Sequence, residues 1–304
     1  GGRRRARPSP APDMTRAKAT LYGWLLLLPA FVLLLAFTHW PAVATLYASL
    51  HSTPRRNRPS VYVGLENFEA MADDPIFWQV MWNNLLYAIG TIPVSVALAL
   101  LMALWVNDKL RGQSWIRLAY FTPTVLPMIA VANIWLFFYT PDYGLIDQIA
   151  RAFGAGATNW LGNPDTVLYC MMVMTVWKEA GFFMIFYLAA LQQIPPNLAE
   201  AASIEGCGRW TFFRRVTLPL LMPTTLFVLV NAVIGAFRLV DHVVALTGGG
   251  PNNASHLLLS YIYDVAFRYW DVAYGATLTV VLLAILGGLA LFQFAVLEKR
   301  IHYR

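Results

Sequence analysis

Four ionisable residues lie inside long apolar segments of the 304-residue chain, where lipid would make an unpaired charge costly. Lys178 and Glu179 are adjacent, so on a helix they point about 100° apart and each needs a partner on another helix. Arg238 and Asp241 are three residues apart and can pair on one helix. These charges either line a solute path or join helices or subunits, and joining is favoured for Lys178 and Arg238.

Amides and aromatic rings in the same segments could bind a sugar. An asparagine can hydrogen-bond a hydroxyl group, and a ring face can pack on sugar C–H groups. For any single asparagine a bridge between two helices is favoured, and for any single ring a place in the core or facing lipid is favoured. The predicted solute path comprises Asn83, Asn84, Trp135, Trp177, Lys178, Glu179, Tyr187, Asn231, Arg238 and Asp241.

The chain contains no recognisable catalytic motif. Its five histidines are scattered, without H-E-x-x-H or other metal spacing, and there is no G-x-S-x-G elbow. The ATP-binding pattern G-x-x-x-x-G-K-[ST] is also missing. We therefore expect no catalytic residue, metal site or cofactor on this chain. Cys170 and Cys207 are predicted at different membrane depths, so no disulfide is inferred.

Composition places these residues in a membrane protein. Only 12% of residues are charged and the mean hydropathy is +0.54, whereas a soluble domain has about 25% charged residues. Six windows can each span a hydrocarbon core as a helix: 20–40, 78–106, 116–139, 166–193, 222–246 and 272–297. The predicted fold is all-α, with six transmembrane helices. The first window could instead be a signal peptide with a cleavage site at 42–44, but its apolar stretch is longer than signals usually have.

The basic residues predict the orientation. Lys and Arg number six in the N-terminal tail and three each in 107–117, 200–219 and the C-terminal segment, fifteen of the 22 in all. By the positive-inside rule these segments and both termini are cytoplasmic. Residues 1–18 are predicted to be a disordered tail and residues 19–304 the membrane domain. The charge is divided among short turns, which argues against nucleic-acid binding and for topology control and contact with lipid.

One polar stretch, residues 195–221, separates the fourth and fifth windows, and we call it the knuckle. Pro195 and Pro196 end the preceding helix. A short helix is predicted from Asn197, a stop at Gly206 and Gly208, and a second short helix before Leu218 and Pro219. Its small alanines and flanking charges suit docking to a partner, and they equally suit an amphipathic segment at the lipid surface.

The knuckle sequence "EAASIEG", followed by "RVTLP", resembles the EAA signature of binding-protein-dependent ABC importer permeases. Glu200, Ala201, Ala202, Gly206, Leu218 and Pro219 match it, and Glu205 stands where aspartate is frequent. Other segments resemble the sugar and glycerol-phosphate branch: "YVGLENF" (62–68), "VWKEAGFFMIFYLAALQQIP" (176–195), "AFRLVD" (236–241), "LTGGGP" (246–251) and "FQFAVLEKRIHYR" (292–304).

This resemblance implies the fold of a type I importer permease in a bacterial inner membrane. The implied partners are two ATP-binding cassette subunits that hold ATP and Mg, a second homologous permease and an extracytoplasmic solute-binding protein. The residues implied to couple to the ATPase are Glu200, Ala201, Ala202, Glu205, Gly206, Arg209, Arg214, Leu218 and Pro219. The expected solute is a sugar or polyol. The alternatives are an anionic solute such as glycerol-3-phosphate, a glycerophosphodiester or a sulfonated sugar, and an ion-coupled secondary transporter.

Overall fold

A computed structural model describes residues 16–55, 58–107, 112–154, 156 and 158–297. The described chain is all-α, as predicted, with isolated β-bridges at His51–Tyr62 and Arg55–Arg58. The helices are α1 Arg16–Leu34, α2 Trp40–Ser49, α3 Glu66–Asp73, α4 Pro75–Asn107, α5 Gln113–Val125, α6 Met128–Phe138, α7 Leu145–Ala152, α8 Val167–Gln192, α9 Pro196–Ile204, α10 Arg209–Phe212, α11 Leu218–Leu220, α12 Met222–Arg238, α13 Asp241–Leu246, α14 Leu258–Tyr263 and α15 Val272–Leu297. Short π-helical segments join α1 to α2 and α10 to α11.

Within the described part of the chain, four helices are long and apolar enough to cross a membrane: 18–49, α4, α8 and 272–295. Counting each of two sharply bent helix pairs as one span raises the number to six. The count of six and the side of the termini remain predictions. Residues 16–49 form one continuous helical stretch of α1, a π-helical segment and α2, which includes the possible cleavage site at 42–44. Residues 1–15, 108–111 and 298–304, which carry many of the basic residues used to predict orientation, lie outside the described residues.

Two predicted spans are broken. In the third, α5 and α6 meet at 101° across Leu126 and Pro127, both of which are extended. Pro127 cannot donate a backbone hydrogen bond, which explains why the helix stops there. Pro93 lies inside α4, by contrast, and does not end it.

The fifth span ends early, and this corrects one expectation. Helix α12 stops at Arg238 because Leu239 is extended, and α13 begins as a separate helix at Asp241. Arg238 and Asp241 are therefore not on one helix, and within the described residues no ion pair joins them. Both side chains are exposed.

The core is built on α4 and α8, which pack along each other. Tyr87 contacts Thr175 near one end, and Ala99 and Ala103 pack with Tyr187 near the other. At about 1.5 Å per residue, the stretch of α4 from Asn84 to Val106 extends over about 30 Å. The segment 247–258 therefore lies at one end of the bundle, beside Asn84, and the knuckle follows α8 at the opposite end.

Helix α5 packs on α8 at a glycine. A Cβ atom on Gly181 would lie 2.0 Å from the carbonyl oxygen of Tyr120, so only glycine allows the two backbones to approach this closely. The hydroxyl of Thr124 also donates to the carbonyl oxygen of Lys178 at 3.2 Å. These contacts place the end of α5 beside the middle of α8.

Candidate functional site

Asn83 and Asn84 hold a loop. The Asn83 amide donates to the carbonyl oxygens of Asn253 (2.8 Å) and His256 (3.1 Å), and Asn84 Oδ1 accepts from the backbone N–H of Leu258 at 2.9 Å. Gln79 adds a bond to Asn252. We call residues 247–258 the clamped loop. The two asparagines were predicted to line the solute path, but both are buried and their described bonds serve this loop.

The clamped loop is also packed from within. Gly249 has φ +92°, and a Cβ atom there would lie 2.1 Å from Nε2 of His256. The Ser255 hydroxyl donates to the carbonyl oxygen of Gly250 at 2.6 Å. Gly249 is thus required for two reasons: its backbone is left-handed, and the His256 ring leaves no room for a side chain.

A carboxylate joins the nearby helix ends. Asp74 Oδ2 accepts hydrogen bonds from the hydroxyls of Tyr261 and Tyr274, both at 2.6 Å, and Oδ1 accepts from the backbone N–H of Ile76. Burial alone would raise the pKa of Asp74, but these hydrogen bonds outweigh burial and hold the pKa below its usual value. Ionised Asp74 therefore ties α14 and α15 to the start of α4.

Lys178 caps the broken third span. Its Nζ donates to the carbonyl oxygens of Pro123 (3.2 Å), Thr124 (3.2 Å) and Leu126 (2.7 Å). The carbonyl of Pro123 would ordinarily accept from residue 127, which is proline and has no N–H. The ammonium group supplies the missing donor and places a positive charge at the C-terminal end of α5. The expected partner on another helix is therefore backbone rather than a carboxylate.

Glu179 lines a cavity of about 50 Å³ among α4, α8 and α12. Its side chain is half-buried, and within the described residues its carboxylate has no hydrogen bond or ion pair. The other polar residues of the lining are Thr91, Ser95, Thr175 and Asn231. Thr91 and Ser95 lie between the clamped-loop end and the knuckle end of α4, so the cavity is near mid-depth.

Asp241 lines a second, open cavity of about 460 Å³. It lies between α6 and α13 and also involves Asn133 and Tyr263. Arg238 lines neither cavity. The gap between α12 and α13 is therefore flanked by two cavities, each with a carboxylate in its lining.

The three predicted aromatic residues occupy different environments. Tyr187 is fully buried and donates to Thr225 at 3.2 Å, and Trp135 is buried in the core near Tyr139. Trp177 is 41% exposed and meets Trp135 edge to face. Of these three residues, only Trp177 is exposed.

The knuckle has the predicted form of two short helices that meet at glycines. Helix α9 ends in a Schellman motif, because Cys207 N–H bonds to the Ala202 carbonyl and Gly206 N–H to that of Ser203. Gly206 has φ +69°, and nothing lies within 4 Å of where its Cβ would be. The turn therefore requires the left-handed conformation without any packing against it.

The predicted coupling residues lie on the surface of the knuckle. Exposed members are Glu200, Ala201, Glu205, Gly206, Arg209, Arg214 and Pro219, whereas Ala202 and Leu218 are half-buried. Large apolar side chains accompany them: Ile204 is 88% exposed and Trp210 is 71% exposed. An exposed mixture of charged and apolar groups is what a docking surface offers.

Sequence reasoning missed the hydroxyl groups of the cavity. Thr91, Ser95 and Thr175 belong to apolar runs, and serines and threonines in such runs ordinarily bond their own helix. Only their convergence with Glu179 across two helices distinguishes them. Within the described ranges, no three His, Cys, Asp or Glu residues are grouped so as to hold a metal ion.

Comparisons with known proteins agree with this architecture. The family described as "Binding-protein-dependent transport system inner membrane component" matches residues 95–303. A sulfoquinovosyl glycerol transport system permease of Agrobacterium fabrum is 33% identical over 87% of this chain and 86% of its own length. A lactose transport system permease of Rhizobium radiobacter is 31% identical over 91% and 94%. The crystal structure of a bacterial ABC transporter that imports the acidic polysaccharide alginate contains a chain with a TM-score of 0.82 and 21% identity, covering 93% of this chain and 96% of that one.

Proposed function

We propose a transport cycle from one premise: the chain belongs to the binding-protein-dependent transport system inner membrane components and is the multi-pass permease subunit of an ABC importer. Its solute is a sugar, a polyol or a related carbohydrate, a proposal supported by relatives named for carbohydrate transport. The chain works in the inner membrane, beside a second homologous permease. ATP and Mg are held by two separate cassette subunits.

The exposed knuckle is the observation that carries this proposal. It lies at the end of the bundle away from the clamped loop, and it presents Ile204 and Trp210 to solvent. The cassette subunits bind the knuckle in the cytoplasm, and the solute-binding protein delivers solute at the clamped-loop end. ATP-driven closure of the cassette subunits shifts the knuckle. The helices around the Glu179 and Asp241 cavities then tilt, so that these cavities open alternately to the cytoplasm and to the opposite side of the membrane.

Gly206 provides the first test. In the complex reconstituted with its cassette subunits and binding protein, Gly206→Val should strain the left-handed turn and separate ATP hydrolysis from solute uptake. The matched control is Gly208→Ala, because Gly208 has ordinary backbone angles and open space around it. Unchanged coupling in Gly206→Val would contradict the proposal. So would uptake driven by an ion gradient without the cassette subunits.

The solute class is tested on the cognate solute-binding protein. Its thermal stabilisation should be measured against a panel of neutral and anionic sugars, polyols, amino sugars, glycerol esters and amino acids. Stabilisation by carbohydrate-type compounds is expected. Stabilisation only by compounds that are not carbohydrates or polyols, such as amino acids, would contradict this part of the proposal.

A further inference from the structure

Lys178 and Glu179 are neighbours in sequence, but the fold separates their roles. The Lys178 ammonium group is occupied by three backbone carbonyls of the third span. Glu179 faces the cavity among α4, α8 and α12, and no described residue donates a hydrogen bond to it. The lysine therefore lies outside the lining of the cavity, whereas the glutamate is part of it.

The cavity offers hydrogen-bond acceptors to a molecule inside it. The Asn231 amide nitrogen donates to the Phe227 carbonyl at 2.7 Å, which leaves its side-chain oxygen available. Thr91 donates to the Tyr87 carbonyl at 2.7 Å. An ionised carboxylate only accepts hydrogen bonds, so Glu179 and Asn231 together suit a molecule that donates them.

Charge reinforces this preference at both cavities. Glu179 contributes to the first lining and Asp241 to the second, and neither described lining contains Lys or Arg. In a partly water-excluded site, a phosphate or sulfonate beside Glu179 would meet like-charge repulsion. A hydroxyl or ammonium group would instead donate to the carboxylate.

We propose that Glu179 is a specificity-determining residue of the solute path, favouring uncharged or cationic hydroxyl-rich solutes over anionic ones. This inference rests on the proposed function, because it assumes that solute passes the cavity. It assigns a charge preference to the permease itself, in addition to any selection made by a binding protein. Asp241 extends the same preference to the neighbouring cavity.

A charge-selective labelling experiment tests the proposal without knowledge of the solute. Cys170→Ala and Cys207→Ser remove the native thiols, and Gly235→Cys introduces a reporter into the cavity lining. Nothing lies within 4 Å of a Cβ atom at Gly235, so the reporter fits. The assembled complex in lipid nanodiscs is treated with aminoethyl and sulfonatoethyl methanethiosulfonate. For each variant, the rate of modification by the cationic aminoethyl reagent is divided by the rate for the anionic sulfonatoethyl reagent. The reference for this ratio is Gly156→Cys, an exposed loop position with open space.

The ratio at residue 235 should exceed that at residue 156 about ten-fold, and Glu179→Gln should lower it at least about five-fold. The matched variant Glu66→Gln removes an exposed carboxylate from α3 and should leave the ratio unchanged. If Gly235→Cys prevents assembly, Ser95→Cys reports from the opposite wall.

A ratio near that of the exposed position, or one that Glu179→Gln leaves unchanged, would overturn the proposal. Failure of both reagents to reach residues 235 and 95 would overturn it too, because solute could then not pass the cavity. ATP-dependent uptake by the same preparation separates the two hypotheses. If uptake is retained while the ratio is flat, only the charge preference fails; if uptake does not depend on ATP, the proposed function fails.

Discussion

The clamped loop and the knuckle are both glycine-containing turns between helices, but they differ in what surrounds them. The clamped loop is bonded by Gln79, Asn83 and Asn84, and its Gly249 touches the His256 ring. The knuckle leaves Ile204 exposed, and its Gly206 has open space. The first turn finds its partners within the chain, whereas the second presents groups that need a partner from outside. Similar turn sequences therefore serve different purposes.

The largest expected effect compares the two glycines. Gly249→Ala should lower the free energy of unfolding by at least about 3 kcal/mol, because the new methyl group overlaps His256 and the turn is left-handed. Gly206→Ala should cost only about 1 kcal/mol, from the left-handed conformation alone. Thermal unfolding of both variants in the same lipid mixture measures the difference. Equal losses would remove the distinction between the two turns.

A smaller effect is expected at Asn84. Asn84→Ala leaves the buried N–H of Leu258 without its acceptor and should cost about 1–3 kcal/mol of stability. Asn133→Ala is the matched control, since Asn133 is exposed and bonds only within its own helix, and it should change stability by less than about 0.5 kcal/mol. The midpoints of chemical unfolding compare the two. An unaffected Asn84→Ala variant would show that the loop is not held by this residue.

The knuckle should respond in binding rather than in folding. Ile204→Ala should leave the stability of the permease unchanged and weaken its binding to the cassette subunits by about 1–2 kcal/mol, roughly 5- to 30-fold in Kd. Phe153→Ala is the control, because Phe153 is also 88% exposed but lies outside the knuckle. Binding of purified cassette subunits to nanodiscs measures the effect. A loss of stability without a loss of binding would assign Ile204 to the fold.

The smallest effect concerns pH at the clamped-loop end. Since the pKa of Asp74 is held below its usual value, its stabilising contribution is present above about pH 4 and is lost as pH falls through the folded-state pKa. Wild type should therefore lose more stability between pH 5 and pH 3 than Asp74→Asn does. Asp73→Asn should behave as wild type. Parallel pH profiles for wild type and Asp74→Asn would contradict the assigned role of the carboxylate.

The sequence predicted the helices well and their interruptions less well. Windows 78–106, 166–193 and 272–297 each correspond to one long helix, since an apolar run of that length has few alternatives in lipid. Pro127 removes a backbone donor and so favours a local break, but the 101° bend and the Lys178 ammonium group that donates to the freed carbonyls, 51 residues further along the chain, are visible only in the structure. Pro93 also lacks a backbone donor, yet α4 continues through it.

The site was less predictable because its side chains find partners far along the chain. Asn83 and Asn84 bond residues more than 160 positions away, so nothing local distinguished a clamp from a solute contact. Arg238 and Asp241 had the spacing of a helical pair, but extended Leu239 separates their helices. The knuckle was predicted correctly because proline and glycine rules are local.

The bonds of Lys178 and Thr124, with the contact at Gly181, fasten α5 to α8, and this limits which parts of the bundle can swing. We expect α5 and α8 to travel as a single body, with the joint at Leu126–Pro127 absorbing the movement of α6. Spin labels on α5 and α8 should then keep a constant separation when ATP is added, while a label on α6 changes its distance from both. Divergence of α5 from α8 would show that the lysine releases its carbonyls during the cycle.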